Sequence, residues 1–236
     1  LENGGTASSH AYETSDHDAI EDANLPGSLP TLRKQYINFS KTDEDDLPAR
    51  IERLWYINPY GQEIRLAANP RVLNALKDAH AIIYSIGSLY TSLIPSLILK
   101  GVGAAIANPA IKFKTLILNS TNDRETGPAA SPFSAMDFIA AIAKACAESQ
   151  GLTGDANKAD FRSYVTHLIY VAGSDTPKVD TEELQKLGIE AIRVYGRKVD
   201  GEAFVRYDEK ALVQALQVTM GRDPKGTRTR RNTLEG

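Results

Sequence analysis

The run Ala81-Ile82-Ile83-Tyr84-Ser85-Ile86, almost wholly apolar and followed at once by Gly87, constrains this chain more than any other feature. An apolar stretch of this length ended by a turn residue has the pattern of a parallel strand buried on both faces. A parallel strand reaches its neighbour only through a crossover, usually a helix, so the pattern fixes what must surround it. Upstream, Ile51, Leu54, Trp55 and Ile57 have strand-like composition and stop at the turn sequence Asn58-Pro59-Tyr60-Gly61. A helix is expected from Pro70, with Asn69 as its cap, through Leu73, Leu76 and Lys77.

Downstream, the pattern predicts a helix over 93–107, interrupted by Pro95 and the Gly101/Gly103 pair and stopped by Asn108-Pro109. A strand over 113–119 and a polar loop over 120–130 follow. Ser131 is expected to cap a long helix with Pro132 at its first position, because Phe133, Met136, Ile139, Ala140, Ala143 and Ala147 recur at helical spacing. Further strands are expected over 166–172, 189–195 and 203–207, with helices over 181–187 and 208–220. This alternation predicts an α/β, Rossmann-like fold, a mostly parallel sheet with right-handed crossovers and helices on both faces.

Three segments are expected: an acidic polar loop segment over 1–47, the α/β domain over 48–220, and a basic flexible tail over 221–236. The first is poor in apolar periodicity and carries Asp43, Glu44, Asp45 and Asp46 in a row, whereas the last carries Arg222, Lys225, Arg228, Arg230 and Arg231. Hydrophobic residues make up 42% of the chain and charged residues 24%, values ordinary for a globular protein. No window reaches the roughly 18 apolar residues of a spanning helix. The net charge of -3 argues against a nucleic-acid partner. The one cysteine, Cys146, reads as a small core residue of an alanine-rich helix and suits a reducing compartment, so a cytoplasmic location is expected. The four histidines have no ligand spacing, and no metal site is expected in this chain.

In folds of this class ligands collect where the carboxyl ends of strands pass into helices. Two loops qualify. In Gly87-Ser88-Leu89-Tyr90-Thr91-Ser92, a glycine permits close backbone approach, hydroxyls cluster, and amides at a helix start attract an anion. The same residues also permit a plainer reading, in which Ser88 or Thr91 only caps its own helix and Tyr90 lies at the core edge. The second loop, Asn119 to Gly127, offers Asn119, Arg124, Glu125 and Thr126 to a sugar hydroxyl or a phosphate, or it is simply solvated.

The stretch from Ala81 to Leu97 resembles the signature of the 2-phospho-L-lactate transferase-like and gluconeogenesis-factor family, an apolar strand running into Gly-Pro-Gly-Ser-Leu-Tyr-Thr-Ser and then an apolar pair and proline. Asn119 followed by Arg124-Glu125-Thr126 is similar to the family's second segment, an asparagine followed by Gly-Glu-Thr. The resemblance covers residues 51–150 most clearly. It implies a phosphate or diphosphate at Gly87, Ser88, Leu89, Tyr90, Thr91 and Ser92, with Asn119, Arg124, Glu125 and Thr126 beside it. A nucleotide, a nucleotide sugar or another phosphorylated small molecule is the implied partner, with a homo-oligomer as a further expectation.

Three readings of function follow: a transferase of a phospho-linked group, a non-catalytic regulator that binds a nucleotide sugar such as a UDP-sugar, or a structural remnant without ligand. The departures bear on the choice. Ser85-Ile86-Gly87 replaces Gly-Pro-Gly, and Arg124 replaces the glycine before Glu125. The family's Gly-Gly-Thr-Gly turn is echoed only by Gly4-Gly5-Thr6-Ala7, and its Asp-Asp-Gly-Gly segment is absent. The chain is therefore expected to be the C-terminal portion of the family domain, with any Mg²⁺ held by residues outside it.

Overall fold

The computed structural model describes residues 47–152, 160–198 and 205–221, so both the acidic segment over 1–46 and the basic tail over 222–236 lie outside the described residues. Residues 57–64 belong to one compact unit, and residues 47–56 with everything described from Arg65 onward belong to a second. In the first unit Asn58 closes the turn: its side-chain oxygen accepts from the amides of Tyr60 and Gln62, and Gly61 takes φ +81. Strand pairing around that turn is limited to β1 (Tyr56–Ile57) and β2 (Glu63–Ile64), shorter than the composition suggested.

The second unit is built on four parallel strands, β3 (Ala81–Tyr84), β4 (Phe113–Ile117), β5 (His167–Val171) and β6 (Glu190–Val194), in the order β3-β4-β5-β6. The register sets Ala81 opposite Phe113, Thr115 opposite His167, and Ile169 opposite Ile192. Before them runs α1 (Pro70–Lys77), and between them run a π-type turn over Leu89–Leu93, α2 (Ile94–Leu97), α3 (Val102–Ala107), α4 (Ala135–Ser149), α5 (Phe161–Tyr164) and α6 (Thr181–Lys186). A hairpin of β7 (Gly196–Lys198) and β8 (Val205–Tyr207) leads into α7 (Glu209–Thr219). This is the Rossmann-like α/β arrangement expected.

Strand order that advances one way with right-handed crossovers puts the connecting helices on one face. That face holds the larger core: Tyr84, Leu116, Leu118 and Leu168 from the sheet meet Phe138, Ile139, Ile142 and Cys146 of α4. On the other face Ile169, Val171 and Val194 meet Ala215 of α7. At β3 that second face is open: Ile83 is 43% exposed and Ile86 beyond the strand 49% exposed. The expectation of a strand buried on both faces is thus corrected. β3 is parallel and apolar, but among the described residues it sits at the sheet edge, with β4 as its one strand neighbour and one helical layer over it.

Helix α4 also starts later than the sequence pattern suggested. Ser134, not Ser131, is its cap: the Ser134 hydroxyl accepts from the Asp137 amide while the Asp137 carboxylate accepts from the Ser134 amide at 2.7 Å. Pro132 and Phe133 lie before the helix, and Phe133 is buried through ring contacts with Tyr90 and Phe138 instead of through helical position. The predicted 93–107 helix is broken as anticipated into α2 and α3, with Gly101 at φ +94 between them. Gly103 is required by packing: a Cβ there would collide with the Cys146 carbonyl, and its amide donates to the Ser149 hydroxyl at 2.8 Å.

Candidate functional site at the carboxyl end of the sheet

The segment from Gly87 to Ser92 leaves β3 and turns at once into the π-type turn, and the second loop leaves β4 beside it. Asn119 ties the two together. Its side-chain oxygen accepts from the Gly87 amide at 3.2 Å and its side-chain NH₂ donates to the Gly87 carbonyl at 3.0 Å. A side-chain amide that satisfies both backbone groups of one residue fixes that residue as a strand partner would. No side chain larger than hydrogen is pressed here, since a Cβ on Gly87 would meet the Ser92 side chain only at ordinary contact distance.

Glu125 supplies the second tie. One of its carboxylate oxygens accepts from the Tyr90 amide at 2.9 Å and from the Thr91 amide at 3.1 Å. The amide-rich turn therefore does receive an oxyanion, and that oxyanion is a side chain of the protein. The amides of Ser88 and Leu89 donate to no described residue, and the hydroxyls of Ser88, Thr91 and Ser92 likewise have no partner among the described residues. Thr91 and Ser92 are exposed, Ser88 is half-buried, and the Leu89 side chain is fully buried, so Leu89 offers only its backbone. Arg124 is exposed and forms no ion pair with a described residue.

Thr126 is turned inward. Its hydroxyl accepts from the Asp123 amide at 2.8 Å, while the Asp123 carboxylate accepts from the Glu125 amide at 3.0 Å and the Thr126 amide at 3.1 Å. Thr126 thus shapes the loop that presents Glu125, and Gly127 at φ +99 lets the chain turn away toward Phe133. Of the ten residues singled out in the sequence, Gly87, Asn119, Tyr90, Thr91 and Glu125 are brought into direct contact. The side chains of Ser88, Ser92 and Arg124 make no hydrogen bond with a described residue, and Leu89 and Thr126 serve the core and the loop.

A group the sequence reading missed adjoins Tyr90. A cavity of about 380 Å³ is lined by Arg50, Tyr90, Phe133, Asp137 and Lys144. Arg50 binds Asp137 at 2.9 Å, donates to the carbonyl of Pro132 at 2.7 Å, and lies 4.8 Å above the Phe133 ring. Burial alone would raise the Asp137 carboxyl, but hydrogen bonds from Ser134 and from the Arg50 guanidinium hold it below the usual carboxylate value. The Tyr90 hydroxyl donates to the Ile51 carbonyl at 2.9 Å, and burial, reinforced by Asp137, pushes its pKa up to about 12. Tyr90 is therefore a neutral donor tied to the core edge. No motif marks this group; Arg50 lies 87 residues from Asp137 in the chain.

Among the described residues no group of three or more His, Cys, Asp or Glu side chains is placed to hold a metal. The carboxylates around the turn are already engaged, Glu125 by the Tyr90 and Thr91 amides, Asp123 by its own loop and Asp137 by Arg50. The described residues do not fit Mg²⁺. Cys146 is buried in α4 and burial raises its thiol to about 12, so it carries no nucleophile at neutral pH. No helix among the described residues is long and apolar enough to cross a membrane.

An uncharacterized protein of Saccharomyces cerevisiae is 34% identical over 159 residues, covering 66% of this chain and 36% of that protein. A protein of Clostridium acetobutylicum named "Putative gluconeogenesis factor" is 27% identical over 181 residues, covering 75% of this chain and 39% of its own length. One of the same name from Nostoc is 32% identical over 152 residues, covering 63% and 32%. The chain thus spans about a third of the length of these relatives. The crystal structure of protein BH3568 from Bacillus halodurans superposes with a TM-score of 0.49 at 20% identity, covering 64% of this chain and 47% of that one. The family described as 2-phospho-L-lactate transferase CofD matches residues 21–221, and the chain belongs to that family.

Proposed function

We propose that this chain is the phosphate-binding portion of a CofD-type domain and takes the phosphate or diphosphate of a nucleotide or nucleotide sugar at the turn from Gly87 to Ser92. The observation that carries this reading is the distribution of donors in the turn. Two amides are satisfied by Glu125, whereas the Ser88 and Leu89 amides and three hydroxyls have no described partner. Unpaired amides at the end of a parallel strand suit an anion. The Glu125 carboxylate leaves the phosphate with the Ser88 end of the turn, where the hydroxyls of Thr91 and Ser92 can donate to it. Arg124, exposed in the neighbouring loop, is the nearby cation of that loop and would offset the carboxylate's charge.

Group transfer by the whole protein would draw on further groups, because no group of three or more metal-ligating side chains stands among the described residues and the Glu125 carboxylate is already taken by the turn's amides. We assign this chain binding, and transfer to the complete domain. A regulator that binds a UDP-sugar without turnover is the second reading, favoured by the gluconeogenesis-factor name of two relatives. Titration with GDP, with a UDP-sugar and with Mg²⁺, followed by thermal unfolding, tests the proposal, since a ligand that binds only the folded state raises the melting temperature. A rise with either nucleotide is expected. Unchanged melting with every phosphorylated ligand contradicts the proposal and leaves the remnant reading.

A further inference from the structure

The same edge of the sheet carries a second cavity, about 450 Å³, at the ends of β5 and β6. Its wall is made by Ala172, Arg193, Tyr195, Gly196, Lys198 and Val205. Arg193, next to the last residue of β6, is in register with Tyr170, and Lys198 ends β7 in register with Val205. The hairpin is held tightly against β5 by Gly196: a Cβ there would collide with Val205, stand 2.9 Å from the Arg206 carbonyl and touch Val171 at 3.3 Å. Tyr207 anchors the same hairpin by donating its hydroxyl to the Leu118 carbonyl. The cavity rim is thus fixed by backbone packing.

The charges on this rim differ from those on the back of the hairpin. Arg197 is neutralised by Asp208 at 2.6 Å. Arg193 and Lys198, both exposed, meet no carboxylate and make no side-chain hydrogen bond with a described residue. Between them Tyr195 is 86% exposed, a placement that contributes little to any core. Two cations without a carboxylate partner among the described residues, with an exposed ring beside them over a cavity at the carboxyl ends of parallel strands, form a set of donors for an anion with a flat aromatic face near it.

We infer that the cavity at the end of β6 is a second anion-binding site, in which Arg193 and Lys198 hold the phosphate of a ring-bearing organic phosphate while Tyr195 stacks on its ring. It lies three strands from the Gly87 turn, on the order of 14 Å along the edge from the strand spacing. The site therefore shares no residue with that turn and stands without it.

The test is calorimetric titration of the chain with GDP, with inorganic diphosphate and with guanosine. The parent is expected to bind two equivalents of GDP, and the double variant Arg193→Ala/Lys198→Ala is expected to weaken GDP and diphosphate at this site at least about tenfold, the loss of about 1.4 kcal/mol or more, with the turn's equivalent retained. Tyr195→Ala is expected to weaken GDP several-fold and leave diphosphate unchanged. Both variants change exposed side chains, and their melting temperatures should match the parent. Unchanged GDP affinity in the double variant, or no GDP binding by the parent, overturns the inference. Loss of one equivalent in each double variant supports both sites; loss of binding in a Ser88→Ala/Thr91→Ala variant together with unchanged binding in Arg193→Ala/Lys198→Ala overturns the inference while leaving the turn reading intact, and the reverse pattern supports it and removes the turn.

Discussion

The Glu125 carboxylate accepts the Tyr90 amide at 2.9 Å across 35 residues of sequence, and by doing so joins the loop after β4 to the turn after β3. The same oxygen also takes the Thr91 amide at 3.1 Å. Hydrogen bonds to an ionised group contribute about 1.5–3 kcal/mol each, less where solvent reaches them. Glu125→Ala is expected to lower unfolding free energy in urea by about 1–3 kcal/mol. An unchanged midpoint would show that the tie does not hold the turn.

Helices α3 and α4 meet through a glycine. Gly103→Ala places a methyl against the Cys146 carbonyl and the Ser149 hydroxyl, and the Gly103 amide must move from its 2.8 Å bond to Ser149. Overpacking of this kind costs about 1–3 kcal/mol, and more where backbone is the obstacle. A fall in melting temperature of several degrees is expected by calorimetry; equal melting would mean that the two helices can part freely.

His167 gives stability a dependence on pH. Burial is the main cause that lowers its pKa from 6.5, Glu190 at 3.7 Å works in the opposite direction, and Arg162 lowers it further. The native state then binds fewer protons than the unfolded chain. Its contribution is complete above the unfolded value and is lost as pH falls through the lowered folded value. His167→Gln should flatten the decline in urea midpoint from pH 7 toward pH 5. A decline as steep as in the parent would place the responsible proton elsewhere.

The sequence displayed its alternation of strands and helices because most elements agree with their local signals. Asn69 caps α1, Asp180 caps α6 and Asp208 caps α7, each with its side chain on the following amides. The start of α4 was misplaced because Ser131-Pro132 satisfies the same local rule as Ser134 with Asp137. Only the capping box, closed through Arg50 from a distant part of the chain, decides between them. The edge position of β3 was hidden for a different reason. Ala81-Ile82-Ile83-Tyr84 has no residue of edge character, and strand order is set by crossovers that periodicity does not encode.

The candidate site was legible in part. Gly87 and Asn119 were both singled out, but their reciprocal bonds follow from strand register, not from either motif. Glu125 was read as a group for a ligand, and its engagement with the Tyr90 and Thr91 amides appears only once the loop is folded by Thr126 and Asp123. Arg193, Tyr195 and Lys198 carried no motif at all.

The most direct measurement is the dissociation constant for GDP and for a UDP-sugar in the parent and in Ser88→Ala/Thr91→Ala. Removal of two hydroxyl donors to a phosphate should raise the constant at least about tenfold with little change in melting temperature, because neither hydroxyl bonds to the described protein. An equal constant in parent and variant would contradict phosphate binding at the Gly87 turn.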